Sequence, residues 1–533
     1  MSIDRLVDGL RRPAAYPEGD FRAGGAAPGR RVEMLETHIS WVLLTDLHAY
    51  KIKKPVDLGF LDFTTLEARR FYCAEELRLN RRIAPSLYLD VVPVTLGAAG
   101  PLMGGDGEPV EYALRMRRFP QQALLDRAAR DGRLGGKCID DLAARVAQSH
   151  LGLEPAGPAR SHASAERILA DATQNFDQLR SLAGAEEGAL AYLRAWTAEA
   201  HAGLADAFAA RKRDGYVREC HGDLHLGNIV MLEDGPVPFD CIEFNESFRW
   251  IDVMNEVAFL VMDLREHGLP QLAARFLSRY LEATGDYAGL DVLRFYTVYR
   301  AMVRAKVACI RAAQQAAGRA SGPGNDPEYL KYLAFAQQAA AASRGALVVM
   351  HGVSGSGKSF VASQLADLLG ALHVRSDVER KRLHGLAPQA RSASGLGTGI
   401  YAPADTERTY ERLADAAGHA VRAGYPVVVD ATFLAARQRD RFRKLAAEAG
   451  VGFAIVPCAA PDDVLRARIE RREALRKDPS EAGLDVLRRQ LAELVPFDAS
   501  EAGDLSPVEA GQDEAAVRRL ACRLGERLGI GRQ

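Results

Sequence analysis

Apolar positions recur along this chain with two different periods, and the points where the period changes mark its parts. Ile3 to Leu10 has a short amphipathic spacing, and the residues up to 30 are rich in Gly, Pro and Ala, which predicts a short helix followed by loop. From Arg31 the period shortens. WVLLTDLHAYKIKKPV carries two β-favouring apolar runs around a polar turn at Thr45–Asp46, which predicts a hairpin. LEARRFYCAEELRLNRRI returns to helical spacing, with apolar residues at Leu66, Phe71, Leu77, Leu79 and Ile83. SLYLDVVPVTL and EYALRMRRF read as strands around a Gly-rich turn at 97–107. Strands with one helix predict a small α+β lobe.

Residues 121–216 are mostly Ala-, Leu- and Arg-rich helix, and 217–241 break that pattern with a His-Gly-Asp turn and short apolar segments. From Trp250 to Ala316 the spacing is helical again, and GRASGPGNDP at 318–327 marks a flexible link before a helix at 328–343. ALVVMHG then reads as a buried strand running into a Gly-rich turn. LHVRSD, YPVVVDAT and VGFAIVPCAA are further strand candidates separated by helical stretches, the mark of a parallel α/β sheet. The expected organisation is an N-terminal extension (1–30), an α+β domain (31–316), a linker and helix (317–344) and an α/β domain (345–533). No internal repeat relates the two domains.

Composition bounds this picture without changing it. A chain of 533 residues needs two or three domains, and 26% charged with 48% hydrophobic residues is ordinary for globular protein. The formal net charge of -1, from 69 Lys and Arg against 70 Asp and Glu, gives no support to binding of nucleic acid or an anionic membrane. Seven Cys are scattered, none as CxxC, which argues against a disulfide framework and a zinc site. The N-terminus has no apolar leader core and no apolar run is long enough to span a bilayer, so a cytoplasmic location is expected by elimination.

Chemistry enters at two places. Gly352, Ser354, Gly355, Ser356, Gly357, Lys358 and Ser359 fall within a full GxxxxGK[ST] between a predicted strand and a predicted helix. Glycines let backbone N–H groups converge on phosphate oxygens, and the helix N-terminus adds partial positive charge. Lys358 is expected to reach the β- and γ-phosphates and Ser359 to ligate Mg²⁺. Asp377 ends the next strand candidate, where it could accept the proton of an acceptor hydroxyl or cap a helix; Arg380, Lys381 and Arg382 follow it. Asp430 closes VVVDAT, as a carboxylate for the Mg²⁺ shell or again as a cap. VLRARIERR offers Arg468, Arg471 and Arg472 as a lid over the phosphates, or as a solvated face. These residues resemble the small P-loop kinase group that includes gluconate kinase, polynucleotide kinase and zeta-toxin-like phosphotransferases, over 346–500. RSASGLGTGIYAPADTERTY has no counterpart there and is a candidate for acceptor specificity.

The second place is His221-Gly-Asp223-Leu-His225-Leu-Gly-Asn228, with Asp240 twelve residues beyond Asn228. Asp and Asn five apart match the spacing of a kinase catalytic loop. Asp223 would accept or orient the proton of a substrate hydroxyl, while Asn228 and Asp240 hold Mg²⁺ against the ATP phosphates. The phosphates also need a lysine paired to a helix glutamate. Lys51 and Lys53 share one face of a strand, Lys51 favoured, and Glu76, Glu75 and Glu67 are the candidate partners, Glu76 favoured. Asp252 and Glu256 are expected to brace the site or cap a helix, and His221 and His225 to support the loop. His-Gly-Asp-x-His-x-x-Asn resembles the catalytic loop of the aminoglycoside phosphotransferase and choline kinase group, over 31–316, which implies a bilobal protein-kinase-like fold. That group departs here at ETHISW, which stands where a GxGxxG loop would cover the phosphates; Thr37 and Ser40 are the groups available to do so.

The expected activity is ATP- and Mg²⁺-dependent transfer of a phosphoryl group to hydroxyls of small molecules, at both domains. An alternative makes one domain an ATP sensor or ATPase controlling the other, and a further one makes the P-loop domain a nucleic-acid end kinase.

Overall fold

The computed structural model describes residues 3–22, 31–59, 61–157, 161–183, 187–315, 323–341, 343–392, 394, 398–475, 480–509 and 512–530. Residues 318–322 of the expected flexible link lie outside the described residues. By internal contacts the chain divides into two compact units: Met1–Leu134, Ser149–Arg167 and Ala210–Glu256 in the first, and Gly135–Gln148, Ile168–Ala209 and Val257–Gln533 in the second.

The first unit begins with α1 (Ile3–Leu10) and continues through β1 (Glu33–Glu36), β2 (Ser40–Leu44), β3 (His48–Lys53), α2 (Leu66–Arg81), β4 (Tyr88–Gly97), β5 (Gly100–Met103) and β6 (Glu111–Arg117). The strands form one antiparallel sheet in the order β1-β2-β3-β6-β4-β5. The hairpin at Thr45–Asp46 pairs Leu44 with Ala49. The Gly-rich turn at 97–107, read from sequence as loop, instead contains β5, because Gly100 at φ +122° reverses the chain and lays Pro101–Met103 back on β4. Leu6, Val7 and Leu10 of α1, with Tyr16 and Phe21, pack on Trp41, Leu43, Tyr50 and Ile52 of the sheet. The Tyr50 hydroxyl donates to Asp20 at 2.5 Å, which ties the end of this N-terminal segment to β3.

Helix α2 starts at an N-cap, the Thr65 hydroxyl accepting from the Ala68 N–H at 3.1 Å. Its buried face is not the predicted apolar stripe. Arg69, Cys73, Glu76, Leu79 and Asn80 are buried, while Phe71 is 61% exposed. The polar residues go inside because each meets a partner there, as described below. The chain then runs through α3 (Leu125–Arg130), α4 (Gly136–Gly152), α5 (Ala165–Ala183), α6 (Glu187–Arg213), β7 (Val217–Glu219), β8 (Ile229–Leu232), β9 (Gly235–Pro238), α7 (Glu246–Arg249) and β10 (Trp250–Asp252). β8 and β9 form a hairpin, and β10, in a stretch read as helix, pairs antiparallel with β7.

In the second unit the stretch read as one helical run is three helices, α8 (Val253–Glu266), α9 (Pro270–Thr284) and α10 (Leu290–Gln315), broken at Gly268 and Gly285, both with φ +75°. Helix α11 (Pro327–Ala340) adds Tyr329, Tyr332 and Leu333 to a core with Phe259, Met262, Val298 and Met302. There follow β11 (Ala346–His351), α12 (Lys358–Leu369), β12 (Leu372–Arg375), α13 (Ser376–Leu383), α14 (Pro403–Arg422), β13 (Pro426–Asp430), α15 (Ala436–Glu448), β14 (Gly452–Pro457), α16 (Asp462–Leu475), α17 (Leu484–Glu493) and α18 (Glu514–Leu528). The four strands are parallel, in the order β12-β13-β11-β14, and β11 and β13 are buried throughout, as a sheet covered on both faces requires. Among the described residues no helix is long and apolar enough to cross a membrane.

Candidate functional site

Alternation along β3 turns Lys51 and Lys53 to the same side, toward the buried face of α2. The Lys51 Nζ donates to Glu76 Oε1 at 2.8 Å and to Asp240 Oδ1 at 2.5 Å. Lys53 Nζ donates to the other oxygen of the same carboxylate, Glu76 Oε2, at 2.8 Å, and to Glu243 Oε1. Both lysines therefore meet Glu76. Glu75 is turned instead to Arg78 and Arg249, and Glu67 is exposed in the first turn of α2. Burial opposes charge on Lys51, but Asp240, Glu76 and Glu243 hold its pKa well above the ordinary lysine value. Burial likewise pushes the Glu76 carboxyl up, and the two lysines outweigh it and bring it down to about 2. Burial dominates at Glu243, whose pKa is raised despite Lys53.

The His-Gly-Asp loop is held from behind. Gly222 has φ +88°, and a Cβ there would stand 2.7 Å from the Phe248 carbonyl oxygen, so only glycine fits the turn. Its N–H donates to Glu256 Oε2 at 2.7 Å, and Glu256 Oε1 lies 3.0 Å from His150 Nε2. Burial raises the Glu256 carboxyl, but His150, His221 and the Gly222 N–H together bring it down to about 2. The His221 Nδ1 accepts from the Asp223 N–H at 3.3 Å, and Nε2–H donates to the Phe239 carbonyl at 2.8 Å. That pattern needs the neutral ring, and burial accordingly lowers its pKa. The bond to Phe239 ties the loop to the residue before Asp240. Asp240 has φ +67°, a left-handed conformation uncommon for a residue with a side chain, and its N–H donates to the Tyr88 hydroxyl at 3.0 Å.

The Asn228 Nδ2 donates to Asp223 Oδ2 at 2.8 Å, and His225 Nε2 lies 3.4 Å from the same oxygen. The Asp223 and Asp240 side chains are 37% and 41% exposed, the open carboxylates of an otherwise buried set. Asp252 accepts from the Met254 N–H at 2.8 Å and pairs with Arg211, so it caps α8 and braces its start. At the β1–β2 turn the Thr37 hydroxyl is used within the turn, accepting from the Ser40 N–H at 3.0 Å, and Ser40 is fully buried.

In the second unit, Gly352 to Ser359 join β11 to α12, with positive φ at Gly352, Gly355 and Gly357. A Cβ on Gly352 would collide with the Cys458 carbonyl, so the loop leaves room for an oxyanion beside its N–H groups only with glycine there. Ser354 N–H donates to Gln490 Oε1 at 2.7 Å, and Lys358 Nζ donates back to the Val353 carbonyl at 2.8 Å. The Ser356 hydroxyl is buried without a partner among the described residues, and Ser359 is exposed at the start of α12. Burial lowers the Lys358 pKa against the pull of Asp430. A phosphate group fits this donor-rich cradle.

A cavity of about 680 Å³ opens from the loop and is lined by Gly355, Lys358, Ser359, Asp377, Arg380, Asp430, Arg468 and Arg472 among others. Asp377 stands inside the first turn of α13 and Asp430 is the last residue of β13; neither caps a helix. Arg468 donates to the Gly355 carbonyl at 3.1 Å and Arg472 to that of Ala482, while Arg471 is exposed. Ser394, Tyr401, Thr406 and Tyr410, from the segment singled out for acceptor specificity, line the same cavity. Two groups escaped the sequence reading. His373, whose Nε2 is 3.5 Å from Asp430 Oδ2, helps bring the Asp430 carboxyl down to about 2 against the upward push of burial. Its signal was a polar residue between Leu372 and Val374 in a short strand that also ends in Arg375. Glu243, between Ile242 and Phe244, carried no signal of its own.

Comparison with known proteins finds a family match over each of the two regions that hold these sites. Residues 69–296 match the family model described as phosphotransferase enzyme family, and 347–497 match that described as AAA domain. Uncharacterized proteins of Mycobacterium tuberculosis and Mycobacterium bovis are each 29% identical over 443 residues, covering 83% of this chain and 86% of theirs. Among solved structures, a gluconokinase from Sinorhizobium meliloti is similar over 35% of this chain and 96% of its own, at 25% identity and a TM-score of 0.25. A choline kinase from Cryptosporidium parvum is similar over 63% of this chain and 95% of its own, at 10% identity and a TM-score of 0.38. By its family matches the chain is a kinase-type enzyme with one region of the phosphotransferase enzyme family model and one of the AAA domain model, and both imply ATP as substrate.

Proposed function

We propose that this protein is a cytoplasmic, ATP- and Mg²⁺-dependent phosphotransferase with two active sites, each transferring the γ-phosphoryl group to a hydroxyl of a small molecule. The observation that carries the reading is the meeting of Lys51, Glu76 and Asp240, brought from β3, α2 and the segment after β9 to within hydrogen-bond distance. Lys51, held by Glu76, binds the ATP phosphates, and Asp223 takes the proton of the acceptor hydroxyl. Asn228 and Asp240 offer oxygen ligands for Mg²⁺, whose charge offsets that of the phosphates. At the second site the Gly352–Ser359 loop and Lys358 bind the phosphates, Ser359 and Asp430 would hold the metal, Arg468 and Arg472 close over the phosphates, and Asp377 receives the acceptor proton.

The basic run after Asp377 supports a small acceptor over a nucleic-acid end. Lys381 is buried against Glu481 at 3.2 Å and Arg382 lies 3.2 Å from Glu379, so these two members of the run are answered by carboxylates and Arg380 alone is left to meet an oxyanion, too few for a phosphate backbone. The sensor reading has one observation in its favour: the Thr37 hydroxyl, a candidate cover for the phosphates of the first site, is spent inside its own turn. One experiment separates the two. The protein is incubated with γ-labelled ATP, Mg²⁺ and a metabolite extract, beside Asp223→Asn and Lys358→Ala. Label on small molecules, lost in part with each variant, is expected; free phosphate alone would overturn two-site transfer in favour of a sensor.

A further inference from the structure

The P-loop cavity contains two buried cations, Lys358 and Arg380, that no carboxylate among the described residues answers within ion-pair distance, and Lys358 belongs to the phosphate loop. Arg375 lies 3.4 Å from Glu282, and Arg489 lies 2.6 Å from Glu493. Arg380 is different. It is 8% exposed, and among the described residues no carboxylate comes within ion-pair distance of it. Its Nη1 donates to the Ile400 carbonyl at 3.0 Å and to the Thr406 hydroxyl at 3.3 Å, and its guanidinium stands 5.1 Å from the centre of the Tyr401 ring. Its Nε is buried and has no partner among the described residues. A guanidinium out of water and without a counter-charge is a poor arrangement unless a ligand supplies the anion, and its planar fork suits a carboxylate or a phosphate.

The placement of Arg380 says which ligand. It lies one turn after Asp377 on α13, so the two side chains share a face, and both line the cavity. The nucleotide phosphates have their own donors in the Gly352–Ser359 loop, Lys358, Arg468 and Arg472. Arg380 is therefore left for the acceptor whose hydroxyl meets Asp377, and that acceptor carries an oxyanion. The chain itself makes such a group, since transfer at the Asp223 site turns a hydroxyl into a phosphate monoester carrying roughly -1.5 to -2 charges at neutral pH.

We propose that the acceptor of the P-loop site is the phosphate monoester released by the Asp223 site, so that the protein phosphorylates one small molecule twice. The inference rests on the two-site reading above. In the first step a hydroxyl oxygen of the molecule bonds to the γ-phosphorus of ATP, the bond to the β-phosphate oxygen breaks, ADP leaves and the proton passes to Asp223. In the second a different hydroxyl of the same molecule repeats this with a second ATP. Its proton passes to Asp377 while Arg380 binds the phosphate already in place.

The test passes product from one disabled protein to another. Lys358→Ala protein with γ-labelled ATP, Mg²⁺ and a phosphatase-treated, nucleotide-free metabolite extract is expected to give a product one phosphoryl group heavier than a metabolite. Purified and given to Asp223→Asn protein with fresh ATP, that product is expected to gain a second group. The same Asp223→Asn protein is expected to leave the phosphatase-treated extract unlabelled. Refusal of the monoester, or labelling of the treated extract by Asp223→Asn protein at the parental rate, overturns the sequence of steps and leaves two-site transfer standing. The second outcome would place a carboxylate, which phosphatase does not remove, on Arg380. No product from Lys358→Ala protein overturns both readings. Arg380→Met is expected to raise the KM for the monoester roughly 10- to 100-fold with the KM for ATP unchanged, and Arg380→Lys to recover part of it.

Discussion

At the scale of single residues, the first site turns on how Glu76 is shared. Its two oxygens bind two lysines, and each lysine takes one more carboxylate from the segment after β9, Asp240 for Lys51 and Glu243 for Lys53. When Lys51 turns to nucleotide phosphates, Lys53 remains to neutralise Glu76. Lys53 is fully buried, so Lys53→Met leaves Glu76 and Glu243 short of positive charge and is expected to cost about 3–5 kcal/mol in urea unfolding. Adding Glu243→Gln is expected to recover part of that loss; a double variant no more stable than the single one would show that the two side chains do not act as a pair. Sequence places both lysines on one strand face and favours Lys51 only from its flanking residues, because alternation treats positions two apart alike. Nor could it find Glu243, whose meaning comes only from a partner 190 positions away. Acid exposes the same economy at Glu256. Its carboxyl sits at about 2 in the folded protein against an ordinary 4.5, so below 4.5 the unfolded chain takes up a proton that the folded chain refuses. The stability it contributes is full above 4.5 and is expected to fall progressively as pH drops toward 2. Glu256→Gln should flatten that part of the acid limb when unfolding midpoints are compared across it, and an unchanged slope would contradict the assignment.

At the scale of elements, α13 is the piece on which acceptor recognition depends, and it is pinned through one residue. Glu379 is buried between Arg382 at 3.2 Å and Arg412 at 3.3 Å, and accepts from the Tyr287 hydroxyl at 3.3 Å. Asp377 and Arg380 flank it in the same two turns. Glu379→Gln keeps the shape and removes the charge, which is expected to cost about 3 kcal/mol and to let α13 shift. Steady-state kinetics should then show KM for the acceptor rising roughly tenfold while KM for ATP holds, since Lys358 and its loop stand on α12; equal losses in both would mean that α13 does not act separately. Most elements were legible in advance because apolar period reports burial: the four parallel strands and the β2–β3 hairpin lie where the pattern put them. The failures have a common physical cause. The buried face of α2 carries Arg69, Glu76 and Asn80, and polar residues go inside when tertiary partners exist, which no local pattern records. Strand β5 hides in a Gly-rich stretch because the reversal it needs is itself made by glycine.

At the scale of the whole molecule, the chain's order along the sequence is not its order in space. The phosphotransferase-family match at 69–296 runs through both compact units, and its last helices share a unit with the P-loop sheet. Within that unit the His373 N–H on β12 donates to the Ser278 hydroxyl on α9 at 2.9 Å, and Arg412 on α14 donates to the Gly285 carbonyl at 2.7 Å. Arg275 lies 2.6 Å from Asp367 on α12, and His419 lies 2.9 Å from Asp291 on α10. Tyr329, Tyr332 and Leu333 of α11 are buried with Val298 and Met302 of α10. Composition at 318–327 marks a flexible link, because glycine and proline report local chain geometry and nothing of contacts made far away in sequence. The contacts above join elements that stand before and after it in sequence. A protease site introduced between Gln315 and Pro323 and then cut is expected to leave two pieces that travel as one in gel filtration and part only in denaturant. Apolar burial between α10 and α11, with the charged and hydrogen-bonded contacts of α9 and α14, holds them without the covalent link. Pieces that separate at micromolar concentration in native buffer would mean that the covalent link, rather than this packing, keeps the P-loop sheet with α9 and α10.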